Sequence, residues 1–362
     1  LWTEQNKGKF CGWQKMSAGK LKAGVLGLSE EGQALLKTAS AVEHFEIVAV
    51  GDKDGTVAEK VAEQYHCAAF DDYRQLIIQN ELDCVLIAAG MYSCEQQARM
   101  AMKKKSNVLK LAAAARNFEE AAAFVRLAED EGVKFAIANP MRFAQSYLAL
   151  REYLQQGRIE QIFLIAAFCS VGSKEHPAWH TDPKLSGGGV LLRDCYGLVD
   201  QILWNFPPPE QVYSLNTNLA VDKQQRHYLT EDTAVVAMKF SDTLTGNIVA
   251  SKAFGPREEL LKLYARDRIL SVSSTQLTVS DRRGQKIEES EYDDDEVSCM
   301  RAVLENFALS ILSPEENQLC SSGRDNLKNM AVIESAYLSA RTGMAEEPGR
   351  ILQMLQIEPT EI

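Results

Sequence analysis

The feature that most constrains this chain is a glycine turn set between a buried-strand pattern and a helix. Ala23-Gly24-Val25-Leu26-Gly27-Leu28 is a short apolar run, and a helical stretch begins at Gly32 and reaches Ala41. A continuous apolar run is the profile of a parallel strand covered on both faces. Between them lies Gly27-Leu28-Ser29-Glu30-Glu31-Gly32, a GxGxxG string with Ser29 at the middle glycine. In such a turn the first glycine permits the tight bend and the second lets backbone approach a pyrophosphate. The third lets the helix pack closely on the strand. Ser29 adds a side chain at the second place, together with a hydroxyl that can donate. Glu30 and Glu31 suit the helix dipole, but disfavour a bound anion if they point inward.

The alternation continues. Glu46 to Asp52, Ala68 to Phe70, Cys84 to Ala89, Asn107 to Leu111 and Lys134 to Ala138 read as strands, with helical patterns between them. That spacing predicts a doubly wound parallel sheet. After Asn139 the texture changes. Strand-like runs from Gln161 to Val279 follow one another with short turns such as Asp281-Arg282-Arg283-Gly284, which predicts a mainly antiparallel sheet. Helices at Leu191 to Trp204, Met300 to Ser310 and Arg324 to Arg341 are expected to cover one of its faces. The predicted fold class is therefore α/β: an N-terminal Rossmann unit plus a C-terminal α+β domain with an open sheet. The boundaries read as an N-terminal extension over 1–20, a dinucleotide domain over 21–140, a C-terminal domain over 141–345 and a tail over 346–362.

Composition removes several classes of function. A net charge of −11 argues against a broad nucleic-acid surface, which needs clustered cations. The one dense basic run, Lys103-Lys104-Lys105, ends a helical stretch, where cations suit the dipole. The eight cysteines contain no CxxC pair and match no zinc spacing. Scattered cysteines in a chain of this length predict reduced thiols and a cytoplasmic location. No apolar run has the length of a membrane span, and no metal site is expected.

Asp52 ends the second strand, 20 residues after Gly32. An acid at that point bonds ribose hydroxyls of a bound dinucleotide. The expected cofactor is NAD or NADP, with NAD preferred, although Lys53 beside the acid softens that choice. The expected cofactor contacts are Gly27, Leu28, Ser29, Gly32, Asp52, Lys53 and Ala89.

Four strings together narrow the reading. Trp179-His180-Thr181-Asp182-Pro183-Lys184-Leu185-Ser186-Gly187-Gly188-Gly189 and Ser335-Ala336-Tyr337-Leu338-Ser339-Ala340-Arg341-Thr342-Gly343 join the glycine turn and the stretch from Val108 to Ala121. Over nearly all of residues 21–345 the chain resembles the glucose–fructose oxidoreductase / inositol dehydrogenase (Gfo/Idh/MocA) family. The resemblance implies an NAD(P)-dependent oxidoreductase acting on a sugar, polyol or similar hydroxy compound. It also implies a homo-oligomer, dimer or tetramer, formed through the open sheet. The chain departs from the family where chemistry is done. Leu111-Ala112-Ala113 stands at the Glu-Lys-Pro signature, whose proline usually follows a cis peptide; alanine seldom adopts one. In the motif G-G-G-x-x-x-D-x-x-x-H-x-x-D, Arg193 stands at the first Asp and Gly197 at the His, and only Asp200 matches.

Hydride exchange at an alcohol carbon needs a group that moves the hydroxyl proton. Lys110 shares a strand face with Ala112 and is one candidate, His180 before the glycine run a second, and Tyr196 a third. The plain alternatives are a solvated strand-end lysine, a backbone-bound histidine and a packing tyrosine. Arg142, Trp179 and Arg193 are the expected substrate contacts, a helix-surface ion pair being the commoner use of an arginine such as Arg193. Two further readings stay open: a catalytically inactive member that binds a nucleotide, ligand or partner, and redox-neutral chemistry on a tightly held cofactor.

Overall fold

The structure is a computed structural model that describes residues 19–172, 177–219, 224, 229–253 and 255–353. The expected N-terminal extension therefore lies outside the described residues except for Gly19 and Lys20, as does the tail beyond Gln353. The chain forms two compact units.

The first unit takes the described residues up to Leu111, with Ala123–Pro140 and Glu296–Gly323. Its strands are β1 (Leu21–Leu26), β2 (Phe45–Gly51), β3 (Ala68–Phe70), β4 (Cys84–Ile87), β5 (Asn107–Leu111) and β6 (Phe135–Ala138). All pair in parallel, in the order β3-β2-β1-β4-β5-β6. The strand order reverses between β1 and β4, the switch point whose crevice binds ligands in open α/β sheets. The connecting helices are α1 (Glu30–Ser40), α2 (Gly55–Tyr65), α3 (Tyr73–Gln79), α4 (Met91–Lys103) and α5 (Phe118–Glu131). β4 is buried along its whole length, as its unbroken apolar sequence requires. Lys104 closes α4, and its ammonium donates to the carbonyls of Ile77 (2.8 Å) and Ile78 (3.1 Å) near the end of α3. The basic run is thus a helix-end device, as expected.

The second unit takes Ala112–Ala122, Met141–Asp295 and the described residues from Arg324. One division between the units falls between Pro140 and Met141, and others follow Leu111, Ala122, Asp295 and Gly323. The unit holds α6 (Gln145–Gln155), β7 (Ile162–Ser170), α7 (Pro183–Ser186), α8 (Val190–Arg193), α9 (Tyr196–Asn205) and β8 (Gln211–Thr217). Strands β9 (Thr233–Lys239), β10 (Thr245–Ser251), β11 (Glu258–Ala265), β12 (Arg268–Val272), β13 (Gln276–Asp281) and β14 (Lys286–Glu291) follow. They form one sheet in the order β14-β13-β12-β11-β7-β10-β9-β8, antiparallel throughout except for β7 beside β10. α6 packs on β12 and β13, and α8 on β9 and β10. Along β8 the buried and exposed residues alternate, and Tyr213 and Leu215 lie on the uncovered face with Val235 of β9.

Three sequence expectations change here. The helix after β14, α10 (Glu296–Leu312), does not cover the second sheet; it packs on α1 and β6 of the first unit. Its buried row, Val303, Leu304, Phe307 and Ala308, had no label in the sequence saying which sheet it would meet. The single helix expected over 191–204 is broken: α8 ends at Arg193 and Cys195 caps α9. Strand β14 was not foreseen, because Lys-Ile-Glu-Glu-Ser-Glu is almost wholly exposed. Charge of that kind guards an edge strand against pairing. The last helices are α11 (Leu327–Thr342), packed on β8, and α12 (Pro348–Gln353). No described helix is long and apolar enough to cross a membrane.

Candidate functional site

In the first unit the glycine turn leaves β1 at the switch point. Gly27 sits at φ +88°, in the left-handed region, and a Cβ there would lie 2.5 Å from the Ala89 backbone nitrogen after β4. Only glycine meets both demands. A Cβ on Gly32 would overlap the Gly27 carbonyl oxygen, so the third glycine is set by packing of α1 on the turn. Ser29 is the N-cap of α1, and its hydroxyl oxygen accepts from the Gly32 N–H at 3.4 Å. Glu30 and Glu31 are exposed in the first turn of α1.

Asp52, just past β2, braces this turn. Its Oδ2 accepts from the Leu28 N–H at 2.7 Å, and its Oδ1 from the Asp54 N–H at 3.0 Å. Lys53 extends over the Tyr92 ring of α4, with its ammonium 4.8 Å from the ring centre. The expected cofactor residues Gly27, Leu28, Ser29, Gly32, Asp52, Lys53 and Ala89 thus converge on one end of the sheet. Tyr92 joins them. Its only signal in the sequence was an aromatic residue in the first turn of the helix after β4. Lys110, also in this unit, is 3% exposed in β5, and its ammonium donates to the Leu111 carbonyl at 3.2 Å. It is therefore buried, not a solvated strand end.

The second unit holds two clusters. In the first, Arg142 and Asp200 form a bidentate ion pair at 2.7 and 2.6 Å, with side chains 2% and 0% exposed. Burial works against the Arg142 charge, but Asp200 outweighs it through charge and hydrogen bonds, and the guanidinium is held above its ordinary value. Asn329 donates to the other side of this pair, 2.7 Å from Asp200 Oδ1. Arg142 also lies under the Trp204 ring, 5.4 Å from its centre. The substrate contact expected of Arg142 thus meets a buried pair instead. Tyr196 is buried too, and its hydroxyl donates to Asn326 Oδ1 at 2.9 Å while the Ala114 N–H donates to it. Burial and the nearby Asp200 push its ionisation well up. Tyr196 therefore anchors the 112–116 segment and does not offer a proton outward.

In the second cluster, His180 meets Trp179 edge-on, with ring centres 4.1 Å apart, and the Arg193 guanidinium stands 5.7 Å from the Trp179 ring centre. Arg193 is thus brought to the adjacent pair Trp179-His180 from across the glycine run. Gly187 takes φ +81° against the Arg116 backbone, too close for any Cβ. Buried Glu231 accepts from the N–H groups of Gly189 (2.8 Å) and Leu191 (3.0 Å) and from the Tyr337 hydroxyl (2.8 Å). Burial raises the Glu231 pKa, and these donors pull it back only in part. Sequence reading missed Glu231, because it lies about forty residues from the turn it caps. Among the described residues no cluster of His, Cys, Asp and Glu has metal-holding geometry. Among the described residues Cys67, Cys84, Cys94, Cys169, Cys195 and Cys299 are free thiols.

Known proteins match both units. The model of an oxidoreductase family with an NAD-binding Rossmann fold, the Gfo/Idh/MocA family, matches residues 21–139, and that of its C-terminal domain matches residues 147–272. The chain belongs to the Gfo/Idh/MocA family. An uncharacterised oxidoreductase of Synechocystis is 25% identical over 245 residues, covering 64% of this chain and 65% of that protein. The 2,7-anhydro-N-acetylneuraminate hydratase of Escherichia coli is 24% identical over 203 residues, covering 54% and 53%. The match thus spans less than two thirds of either relative. An Agrobacterium radiobacter oxidoreductase crystallised with NAD+, L-tartaric acid and magnesium shares the fold at TM-score 0.81 and 18% identity, covering 92% of this chain and all of that one.

Within the family frame, two substituted positions have a structural account. Ala112-Ala113, at the Lys-Pro of the family signature, is a cis peptide. The different backbone expected from loss of the proline is therefore not what is found. Gly197, at the family's histidine, opens the first turn of α9, and a Cβ there would collide with Met141 Sδ. Met141 fills the space that a side chain at that position would need.

Proposed function

We propose that this chain binds a nicotinamide dinucleotide through its first unit and works as an NAD(P)-dependent oxidoreductase on a sugar, polyol or similar hydroxy compound, with a nonstandard acid/base set. The observation that carries this reading is the preformed turn: Gly27 at the switch point, with Asp52 hydrogen-bonded at 2.7 Å to the Leu28 N–H. The residues suit the cofactor. A Cβ would fill the turn that a pyrophosphate needs open, and each Asp52 oxygen keeps a lone pair for a ribose hydroxyl. When bound, the nicotinamide exchanges a hydride with the substrate carbon. The protein's part is to orient the substrate and move the hydroxyl proton.

For orientation, the Trp179 ring offers an apolar face to a sugar, and Arg193 a fork for hydroxyl or carboxylate oxygens. The hydroxy acid bound to the Agrobacterium protein and the sugar acid named for the Escherichia coli relative support an oxygen-rich, anionic substrate. For the proton we assign Lys110 or His180, while Tyr196 positions the 112–116 segment. The test is reduction of NAD+ with a panel of sugars, polyols and sugar acids. Turnover that disappears in Lys110→Ala or His180→Ala assigns the proton carrier; full turnover in both removes them.

The family member without turnover is the second reading, and Met141 against Gly197 favours it, because apolar sulfur sits where the family's histidine would stand. NADH binding with no turnover on any substrate would decide for it. We also assign a homo-oligomer built on the uncovered sheet face that exposes Tyr213, Leu215 and Val235. Light scattering at monomer mass across micromolar concentrations would refute it. The six free thiols support a cytoplasmic location.

A further inference from the structure

The segment from Trp179 to Arg193 is gripped at both of its ends by one short clip, Thr230-Glu231-Asp232. At the first end the Thr230 hydroxyl donates to the His180 carbonyl at 3.0 Å, and the Thr230 N–H to the Thr181 carbonyl at 3.2 Å. At the second end the Glu231 carbonyl accepts from the Val190 N–H at 3.1 Å, and its carboxyl from the N–H groups of Gly189 and Leu191 at 2.8 and 3.0 Å. Tyr337 of α11 extends the grip. Its hydroxyl accepts from the Leu192 N–H at 3.2 Å and donates to Glu231 Oε1 at 2.8 Å. The amides from Gly189 to Leu192, the open donors of a helix start, are thus all taken within the chain. A Cβ on Gly188 would collide with the Tyr337 hydroxyl, and one on Gly189 with the Glu231 carbonyl. These two glycines therefore seat the clip. The clip is rooted in the sheet: the Asp232 N–H donates to the Thr217 carbonyl at the end of β8 at 2.8 Å, and its carboxylate pairs with Lys252 at 3.3 Å.

We propose that Thr230, Glu231 and Tyr337 are positioning residues that hold Arg193 against Trp179, and that they thereby set a preference for an acidic sugar over a neutral one. The proposal rests on the reading of Trp179 and Arg193 as substrate contacts. Arg193 directly follows the last gripped amide, and its guanidinium stands 5.7 Å from the Trp179 ring centre. A shift at the start of α8 therefore carries the guanidinium away from the ring. A guanidinium recognises a carboxylate through a planar fork, which needs a fixed direction; ordering a loose one on binding costs entropy. The three gripping side chains are spent on the backbone of the segment and on each other, so they act on substrate only through Arg193 and Trp179.

The test reads Trp179 directly, by fluorine NMR of the full chain labelled with 5-fluorotryptophan. Trp179→Phe and Trp204→Phe assign the two resonances, and Arg193→Gln records where the Trp179 resonance goes when the guanidinium is lost. Glu231→Gln, Tyr337→Phe and Thr230→Val should each move the Trp179 resonance toward that position. Trp204, in the same unit, should stay in place and so report an intact fold. The Trp179 resonance then follows titration with D-glucuronate, D-glucose and D-sorbitol in the presence of NAD+. The parent chain should bind glucuronate more tightly than glucose or sorbitol. The three variants should weaken glucuronate about tenfold and the neutral compounds less than about threefold. A Trp179 resonance unmoved in all three variants, or equal weakening of acidic and neutral compounds, overturns this proposal and leaves the reading of Trp179 and Arg193 as substrate contacts intact. A parent chain whose Trp179 resonance responds to none of the three compounds overturns that reading, and this proposal with it.

Discussion

The two units keep their functional geometry in different ways. In the first, the ligand surface is backbone: a turn that needs glycine at Gly27, a cap at Ser29 and a brace from Asp52. In the second, the proposed substrate contacts are side chains, and the buried network of Arg142, Asp200, Asn329, Asn326 and Tyr196 holds the frame while the family's reacting residues are replaced. A backbone site tolerates Ser29, because the turn's shape does not depend on that side chain. A side-chain site does not tolerate replacement in the same way. Once the histidine position is Gly197, Met141 fills the space.

This comparison can be broken most forcefully at Asp200. Asp200→Ala leaves Arg142 buried without its counter-charge and should cost about 3–5 kcal/mol, read by urea unfolding. A loss below about 1 kcal/mol would mean that the pair does not hold the frame. Gly27→Ala is next. It forces a Cβ into the left-handed region against Ala89 and should cost about 1–3 kcal/mol while removing NADH binding. Retained affinity would show that the backbone does not form the site.

Glu231 gives a pH test. Its folded pKa is raised by burial, so the neutral form is favoured in the native state. Its contribution is therefore full below the ordinary carboxylate pKa and declines as pH rises through the raised value. Thermal unfolding against pH should fall less steeply over that window in Glu231→Gln than in the parent chain; identical slopes would place the effect elsewhere. Ser29→Ala should have the smallest effect, about 0.5–1 kcal/mol in stability. Its hydrogen bond to Gly32 is long at 3.4 Å, and a larger loss would give the serine a role beyond capping.

The same contrast explains what was legible in the sequence. The first unit was readable because its constraints are local: a glycine that must bend, a cap three residues before Gly32, an acid at the next strand end. In the second unit the partners are remote. Nothing near Gly189 in the sequence points to Glu231, and nothing near Asp200 points to Arg142 or Asn329. Tyr196 was visible as a tyrosine but not as a buried anchor, because burial depends on α11, which supplies Asn329, and on Asn326 just before it. The break at Asp194-Cys195 had no glycine or proline at the break itself to announce it. Helix α10 carried the right periodicity for a buried face, but periodicity does not name the sheet it will meet.

The central claim is that the first unit binds a nicotinamide dinucleotide through the turn after β1. NADH titration of the full chain, followed by nicotinamide fluorescence, tests it most directly. The account predicts saturable binding with Kd below about 1 mM, lost in Gly27→Ala and weakened in Asp52→Ala. Absence of binding by the folded parent chain at millimolar NADH, or equal affinity in all three proteins, would contradict it.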